Sequence, residues 1–380
     1  MRRKGFYMLK SLTVSNFKIF ESPVTIDFSA TGNYAFNKDA VKDGISKTSV
    51  MYGKNASGKS SIALALFDIV ANLTDNFVST KDYISYLNAN SNNKPAEFKY
   101  VFCFDGKDIV YEYKKTNIFT IIAEKLTIDG KTAILYDRQS KKPILEVNLP
   151  GTERLNKNPN ALQISALKWV KSNSILEKTD ENILFEKMFA FVNKMLLFWS
   201  LQDRSFVGYS PIANINITEQ IVRQGQFSKL QGFFKEAGIK DEITHLKHNG
   251  SEHLALKIGK QLLDFTSASS QGMKSLLLFF SWLGCCKNET EMPSFVCIDE
   301  FDAYYHYELS YFIIEFLKKL NCQALLTTHN TAIFTNDLLR PDCYFICTKE
   351  KITNVHNATE KEIREGHNLE KLYRGGTFGK

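Results

Sequence analysis

Gly53-Lys54-Asn55-Ala56-Ser57-Gly58-Lys59-Ser60 is the most informative segment of the sequence. It matches the pattern GxxxxGK followed by Ser or Thr. Residues 48–51 form a short apolar run before it, as expected of a strand. After it, apolar residues recur at helical spacing, at Ile62, Leu66, Ile69, Val70 and Leu73. A strand that runs through a glycine loop into a helix favours an anion-binding loop over an ordinary glycine turn.

This loop has the chemistry of a nucleoside triphosphate site. Glycines let the backbone wrap closely around an anion, and successive N–H groups at a helix start supply positive potential. We expect Lys59 to reach the β- and γ-phosphates and Ser60 to bind Mg²⁺. The sequence therefore predicts that residues 53–60 bind ATP together with Mg²⁺.

Two acids follow a later apolar run, Phe295-Val296-Cys297-Ile298-Asp299-Glu300. A strand brings its last residue to the carboxyl edge of a sheet, where ligands bind in such folds. Asp299 is predicted to belong to the magnesium shell, and Glu300 to position or deprotonate the attacking water. An apolar run that ends in two acids is common and therefore a weak indication by itself. It becomes a strong indication when it follows a phosphate loop in the same chain.

A second apolar run ends in polar residues, Ala324-Leu325-Leu326-Thr327-Thr328-His329-Asn330. At a strand edge, His329 is placed to hydrogen-bond the γ-phosphate or the attacking water. The alternative is a capping residue for the next helix, which suits Asn330 or Thr328 better than His329. We therefore expect His329 to have a catalytic role.

A serine-rich stretch opens the helix before the Asp299 strand, Ser267-Ala268-Ser269-Ser270-Gln271-Gly272-Met273-Lys274. Hydroxyl residues and a glycine at a helix start can form another anion site. Taken alone, the stretch is also explained as an ordinary N-cap. Its place in the order of motifs favours the anion site.

The order of patterns predicts an α/β fold with a mixed sheet, a β-meander and a helical insert. Residues 97–148 alternate apolar and polar positions between Asp105-Gly106 and Asp129-Gly130 turns, which indicates the meander. Helical spacing is predicted over residues 161–171, 183–199 and 218–237. We therefore divide the chain into 1–150 with the phosphate loop and meander, 151–240 as the helical insert, and 241–380 with the later motifs.

The composition restricts which broad classes of protein the chain can belong to. The chain has 380 residues, which is ample for a buried core, and no apolar run is long enough to span a membrane. Seven cysteines without a CxxC pair indicate reduced thiols and a cytoplasmic location. His245, His248 and His253 flank an Asn249-Gly250 turn, and a hairpin is favoured there over a metal cluster.

The formal net charge of +7 is concentrated at the start of the chain. Before the first acid, Glu21, the positive residues are Arg2, Arg3, Lys4, Lys10 and Lys18. The remainder of the chain is close to neutral. This basic arm is compatible with contact to nucleic acid or to a partner protein and requires neither.

The order of motifs resembles the ATPase heads of the ABC type, and within them the SMC and RecF group, whose chains also begin with a strand like LKSLTVSNFKIF. The sequence is most similar to small AAA-type ATP-binding proteins of bacterial and phage defence loci. That similarity spans nearly the whole chain, and the segments that carry it are SSQGMKSLL, DEFDAYYH, TTHNTAIF and HNLEKLYRGGTFG.

The resemblance implies a composite site between two subunits. In such heads the serine/glycine stretch completes the partner's nucleotide site, so Ser270 and Gly272 would contact the γ-phosphate held by the opposite protomer. A head-to-head homodimer or a higher oligomer is thus expected. This chain departs from the family pattern where LSGGQ is absent, where Met273 replaces a threonine, and where Tyr305 and Tyr307 flank His306. No Q-loop glutamine is evident after the first helix, so the contact to magnesium that it would make is unassigned, and the residues that recognise adenine are unassigned as well.

Three functions compete at this point. The favoured one is a regulatory ATPase of an anti-phage, abortive-infection system that senses a phage-derived trigger and controls a separate effector, a TOPRIM-like nuclease. The alternative is a DNA-repair ATPase of the RecF and SMC type that binds DNA directly. A non-catalytic nucleotide-dependent scaffold is the third, and the presence of Lys59, Asp299, Glu300 and His329 argues against it.

Overall fold

The structure is a computed structural model that describes residues 7–76, 78–91, 93–199, 206–209, 217–248, 251–284 and 291–378. Two features considered above lie outside these residues. They are the first part of the basic arm, at Arg2, Arg3 and Lys4, and the Asn249-Gly250 turn.

The described residues form nineteen strands. In chain order these are β1 (Met8–Ser15), β2 (Val24–Asp27), β3 (Val41–Lys42), β4 (Ile45–Ser46), β5 (Thr48–Tyr52), β6 (Ala96–Phe104), β7 (Lys107–Lys115), β8 (Ile121–Ile128), β9 (Lys131–Asp137), β10 (Ile144–Val147), β11 (Met195–Trp199), β12 (Phe206–Gly208), β13 (Glu242–His248), β14 (Ser251–Ile258), β15 (Gln261–Asp264), β16 (Phe295–Asp299), β17 (Gln323–Thr328), β18 (Tyr344–Cys347) and β19 (Ile352–Asn354).

The same part of the chain contains nine α-helices. They are α1 (Lys59–Leu73), α2 (Ala166–Asn173), α3 (Asp180–Asn193), α4 (Ile217–Arg223), α5 (Phe227–Glu236), α6 (Phe265–Ala268), α7 (Gln271–Phe279), α8 (Tyr307–Lys319) and α9 (Leu369–Arg374). A π-helical turn, Phe280–Gly284, extends α7. No helix in the described ranges is both long and apolar enough to cross a membrane.

The central sheet carries the motifs. Its strand order is β12-β11-β16-β17-β5-β18-β19, with five parallel inner strands and an antiparallel strand at each edge. Parallel strands are buried on both faces and read as continuous apolar runs, as in residues 295–298 and 324–326. The phosphate-loop strand β5 lies between β17 and β18, so the ends of these strands meet at one edge of the sheet.

A second, antiparallel sheet has the order β10-β9-β8-β7-β6-β1-β2 and contains the predicted meander. Its two predicted hairpin turns are present. Asp105 and Gly106 have φ angles of 52° and 78°, and Asp129 and Gly130 have 48° and 79°. Both pairs occupy the left-handed region that two-residue hairpin turns need.

Two hydrophobic cores lie on the two faces of the central sheet. Successive residues of one strand alternate between them, so that Cys297 belongs to the first core and Val296 and Ile298 to the second. The first core also takes apolar residues from α1, α3 and the meander. The second is formed with α5, α7 and α8. The period of two along each strand produces this division.

The helical prediction for residues 183–199 is wrong at its end. Helix α3 stops at Asn193, and Met195–Trp199 is the strand β11, parallel to β16. All five residues of this strand are buried, and periodicity alone cannot distinguish a short, fully apolar strand from a helix. Residues 218–237 form two helices, α4 and α5, separated by Gly225 with φ of 64°. The domain boundaries near residues 150 and 240 stay predictions.

Candidate nucleotide-binding site

The phosphate loop connects β5 to α1 through two residues with left-handed backbone, Ala56 with φ of 60° and Gly58 with φ of 109°. A Cβ on Gly58 would lie 2.7 Å from Ile19 Cδ1 and 2.8 Å from Phe20 Cζ. A Cβ on Gly53 would lie 2.3 Å from Ser57 Oγ. Close contacts therefore require glycine at both positions of the pattern, and the left-handed backbone is a second requirement at Gly58.

The Lys59 side chain lies back over the loop and is 5% exposed. Its Nζ donates to the carbonyl of Gly53 at 2.8 Å and to that of Lys54 at 3.3 Å. The cation is thus held at the start of α1, where the first N–H groups of the helix also point. Charge and helix terminus together create a site for an anion.

Asp299 lies at the end of β16 and is 6% exposed. Its two carboxylate oxygens accept hydrogen bonds from Ser60 Oγ at 2.7 Å and from Thr327 Oγ1 at 2.6 Å. Burial raises the pKa of the Asp299 carboxyl, and these two hydrogen bonds partly offset the rise. A hydroxyl and a carboxylate in contact at a phosphate site are the hard oxygen ligands that Mg²⁺ prefers, so Ser60 and Asp299 fit the predicted metal set.

Glu300 has a left-handed backbone with φ of 49°. Its N–H donates to Thr327 Oγ1 at 2.9 Å, and the next N–H, of Phe301, donates to the Thr327 carbonyl at 3.1 Å. Thr327 therefore fixes both the Asp299 carboxylate and the backbone of Glu300. A non-glycine residue in this region is strained by roughly 1–3 kcal/mol, and such strain concentrates at functional sites.

His329 follows β17 and is exposed. The capping role falls to Asn330, whose side chain accepts from the N–H of Ala332 at 3.0 Å. Thr328 Oγ1 accepts the N–H of Asn330 at 2.9 Å and donates to Asp302 at 2.8 Å. Asn330 and Thr328 therefore make the capping hydrogen bonds of this segment, as the alternative interpretation expected, and His329 is not needed as a cap.

One cavity of about 430 Å³ joins these parts. Its walls are formed by Ile19, Asn55, Ala56, Ser57, Gly58, Lys59, Ser60, Ser61, Glu300, His329 and Lys349. The structure therefore brings the phosphate loop together with Glu300 and His329. Asp299 reaches the cavity rim through its hydrogen bond to Ser60.

Ser270 and Gly272 do not line this cavity. Ser270 is exposed and caps α7, with its hydroxyl accepting from the N–H of Met273 at 3.2 Å. A Cβ on Gly272 would lie 2.9 Å from the carbonyl oxygen of Tyr304. The serine/glycine stretch therefore lies against the segment after Glu300, on a part of the surface separate from the chain's own phosphate loop.

Three contributors to the site were missed from the sequence. Thr327 was recognisable only as a polar residue at a strand end. Ile19 lies in the segment LKSLTVSNFKIF, to which the sequence assigned no role in the site, and Lys349 lies in the turn after β18, which matches no motif. Their contribution depends on how the strands are arranged in the sheets, and this arrangement cannot be read from the sequence.

Two of the three histidines of the hairpin lie on opposite faces, and the side chain of His248 lies outside the described part of the structure. His245 lies opposite Leu254 and His253 opposite Leu246, so the two histidines are on different faces of the hairpin. Within the described ranges, no group of three or more His, Cys, Asp or Glu side chains is arranged to hold a metal ion.

A phosphate loop, an Asp-Glu strand end and a strand-edge histidine around one cavity define a P-loop ATPase with an α/β fold. Residues 49–335 match the family model described as "AAA domain, putative AbiEii toxin, Type IV TA system", and the chain belongs to that family. The expected class, an AAA-type ATPase, is thereby confirmed. A search of curated proteins found no match.

Solved structures with similar folds include several SMC heads. The SMC head domain from Thermotoga maritima is 16% identical, with a TM-score of 0.41, and the alignment covers 91% of this chain and 98% of that one. An Smc head bound to the C-terminal winged-helix domain of ScpA is also 16% identical, with a TM-score of 0.43 and coverages of 91% and 96%. The Smc head from Pyrococcus furiosus, bound to the C-terminal domain of ScpA, is 13% identical, with a TM-score of 0.43 and coverages of 92% and 96%.

Proposed function

We propose that this ATPase is the regulatory subunit of a bacterial anti-phage system and controls a separate effector, a TOPRIM-like nuclease. The observation that supports catalysis most directly is the single cavity shared by Lys59, Glu300 and His329. The family description, which names a putative AbiEii toxin and a type IV TA system, supports the defence role. A separate effector is proposed because the acids outside Asp299-Glu300 lack the sequence spacing of a two-metal nuclease.

The chain's own groups have distinct tasks in hydrolysis. Lys59 and the loop N–H groups bind the β- and γ-phosphates of ATP. Ser60 and Asp299 hold Mg²⁺, which neutralises phosphate charge when bound. The Glu300 carboxylate accepts a proton from the attacking water, and His329 hydrogen-bonds the γ-phosphate or that water. The strained backbone of Glu300 keeps its side chain at the cavity wall.

We further propose that two copies assemble head to head, so that Ser270 and Gly272 complete the partner's site. Ser270 and Gln271 are exposed, and they do not line the cavity of their own chain. Two exposed tyrosines, Tyr304 and Tyr307, follow Glu300, and the backbone carbonyl of Tyr304 lies against Gly272. Exposed aromatic side chains beside a helix start are suited to a protein interface.

Phage challenge tests the biological proposal. Cells carrying this gene with its neighbouring gene should survive infection, and cells carrying either gene alone should not. Lys59→Ala should abolish protection, whereas Lys178→Ala, at an exposed lysine away from the cavity, should retain it. The purified chain should hydrolyse ATP without degrading DNA or RNA.

Full protection by this gene alone, or nuclease activity in the purified chain, would contradict the two-component proposal. Tight binding of duplex DNA by the purified chain, without any need for a companion gene, would favour the DNA-repair alternative.

A further inference from the structure

His329 lies in a short connection between strand β17 and the 3₁₀ turn Thr331–Ile333. On the strand side the connection is held by Thr328, whose Oγ1 accepts the N–H of Asn330 at 2.9 Å. A single residue, Asn330, separates His329 from the turn. The position of His329 therefore depends on what holds Thr331, at the start of the turn.

Helix α9 holds Thr331 through a charged side chain. The Thr331 hydroxyl donates to Glu370 Oε1 at 2.7 Å. Arg374, one helical turn beyond Glu370, donates to the same carboxylate oxygen at 2.7 Å and to Thr331 Oγ1 at 3.2 Å. A hydrogen bond to a carboxylate is stronger than one between neutral groups, so Glu370 is a firm support for the start of the turn.

Contacts with the rest of the molecule anchor α9 itself. Leu369 is 0% exposed and belongs to the second hydrophobic core. The buried side chain of Asn336, shortly after the 3₁₀ turn, donates from Nδ2 to the carbonyl of Arg364 at 2.9 Å and to that of His367 at 3.1 Å. These carbonyls belong to the segment that leads into α9, so the helix and the turn are fixed to each other at a second place.

Tyr373 connects α9 to the phosphate-loop strand. Its ring centroid lies 4.9 Å from that of Tyr52, edge to face, and 5.7 Å from that of Phe334, with the two rings parallel within 5°. Tyr52 is the last residue of β5 and directly precedes Gly53, whereas Phe334 directly follows the 3₁₀ turn. One helix therefore contacts both the strand that enters the phosphate loop and the segment that follows His329.

We propose that Glu370 is a positioning residue for ATP hydrolysis, which acts through Thr331 to hold His329 at the cavity. The inference rests on the proposed function in that His329 takes part in hydrolysis. All residues of α9 are described, and none of them lines the cavity. Glu370 therefore has no contact with the reacting groups, and its effect on turnover passes through the segment that carries His329. A group displaced by about 1 Å loses much of its contribution to a transition state.

Steady-state turnover and equilibrium ATP binding of the purified full chain, both measured with Mg²⁺, test this role. Glu370→Ala should lower kcat roughly 10- to 100-fold, because His329 is no longer held, and should leave ATP affinity unchanged, because the phosphate loop is intact. Thr331→Val should cause the same loss. Glu370→Gln, whose amide oxygen can still accept from Thr331, should restore most of the turnover. The exposed Glu365→Ala, in the segment before α9, is the matched control and should behave as the parent.

Combination with His329→Ala shows whether Glu370 acts through the histidine. His329→Ala alone should lower kcat, because a hydrogen bond to the reacting groups is lost. Adding Glu370→Ala to it should cause little further loss, because the group that Glu370 positions is already absent. Retained ATP affinity in each variant shows that the protein is folded.

The outcomes separate this inference from the proposed function. A parental kcat in Glu370→Ala would overturn the inference, and so would a loss of ATP affinity as large as the loss of turnover. A full further loss of kcat when Glu370→Ala is added to His329→Ala would overturn it as well, because α9 would then act on another part of the site. These three results leave the proposed function intact. If instead His329→Ala alone hydrolyses ATP at the parental rate, the catalytic role proposed for His329 fails, and the inference fails with it.

Discussion

At the scale of single residues, Thr327 organises the hydrolytic end of the site. Its hydroxyl donates to Asp299 and accepts the N–H of Glu300. One short side chain thus sets the direction of the magnesium-binding carboxylate and supports the left-handed backbone of Glu300. Both constraints are hydrogen bonds within the chain itself, and groups held in this way are suited to a preorganised site.

Replacing Glu300 by Gln should separate binding from chemistry. The amide has the same shape and cannot accept the proton of the attacking water, so turnover should fall roughly 10²–10⁴-fold while ATP affinity is retained. Steady-state ATPase rates and equilibrium binding measure the two quantities. Glu308→Gln, at an exposed glutamate on α8, is the matched control and should behave as the parent. Normal turnover in Glu300→Gln would remove Glu300 from the catalytic role.

The buried Asp299 carboxyl should make stability depend on pH. Burial raises its pKa in the folded state, so the folded protein binds this proton more tightly than the unfolded chain does. Protonation of Asp299 therefore stabilises the folded protein fully below the unfolded pKa of about 3.9. This stabilisation is lost as the pH rises through the pKa that Asp299 has in the folded protein. Asp299→Asn carries no charge and can hydrogen-bond both Ser60 and Thr327.

Thermal melting in Mg²⁺-free buffer tests the predicted direction of this pH dependence of stability. Asp299→Asn should melt at a higher temperature than the parent at pH 7, and the difference should shrink as the pH falls towards 5. The exposed Asp241→Asn should show no such trend. A difference in melting temperature that is constant with pH, or of the opposite sign at pH 7, would show that the Asp299 charge is not destabilising.

Much of this residue-level picture was visible in the sequence. Residues 53–60, Asp299, Glu300 and His329 were predicted because each stands at a strand end within a recognisable pattern, and the structure gathers them at one sheet edge. Their catalytic roles stay predictions. Ile19 and Lys349 could not be found, because Ile19 lies in a turn of the second sheet and Lys349 in the turn after β18, and the sequence does not show that both turns pack beside the phosphate loop.

At the scale of elements, helix α1 is fastened to the meander by a buried ion pair. Lys115 Nζ on β7 contacts Asp68 on α1 at 3.0 Å, and both side chains are 0% exposed. Lys115 also donates to Asn72 Oδ1 at 2.9 Å, and the hydroxyls of Tyr86 and Tyr113 donate to Asp68 at 2.7 Å each. Burial lowers the pKa of Lys115, and the Asp68 charge opposes that shift. The helix that starts at the phosphate loop is thereby fixed to the second sheet.

Breaking this pair from one side should be costly. Lys115→Met leaves the Asp68 carboxylate buried without its cation, and we expect a loss of about 3–5 kcal/mol in the free energy of unfolding. The double variant Asp68→Asn and Lys115→Met should recover much of that loss. Lys114→Met, which breaks only the surface pair with Glu97, should stay within about 1 kcal/mol of the parent.

Urea unfolding of the four proteins provides the comparison. Equal stability of Lys115→Met and Lys114→Met would show that the buried pair contributes no more than the exposed one. A double variant as unstable as Lys115→Met would show that packing, and not an uncompensated charge, sets the loss.

Element prediction failed where burial hides periodicity. Apolar and polar residues alternate along the meander strands, because one face of the sheet packs on the core and the other is in water. These strands were therefore predicted correctly. Strand β11 is buried on both faces, and its run MLLFW directly follows a helix, so it was taken as that helix's end. Its antiparallel pairing with β12 and its parallel pairing with β16, about 100 residues later, make it a strand.

At the scale of the whole molecule, the position of Ser270 bears on assembly. The proposed partner contact requires an exposed serine outside its own nucleotide cavity, and Ser270 has both properties. In a two-fold dimer the same surface on each chain faces the other, so both sites would be completed together.

Mixing two inactive variants tests the composite site. Lys59→Ala lacks a working loop, and Ser270→Arg should block the partner's site, so each protein alone should lack ATPase activity. In a mixed dimer, one site has an intact loop from one chain and an intact serine from the other. After random exchange, turnover should reach about a quarter of the parental rate. Full ATPase activity in a strictly monomeric protein would rule the composite site out.

Ribosomal synthesis releases β5 long before β17, the strand that carries Thr327 and ends next to His329. Roughly 270 residues separate the two strands, which corresponds to about 15–55 s of translation at common rates. During that interval β5 has neither of its eventual neighbours, and its apolar Val50 and Met51 are candidates for chaperone contact. A chain that terminates before residue 323 would contain the entire phosphate loop and still lack the sheet edge that makes it catalytic. Chains truncated before residue 323 should therefore have no ATPase activity.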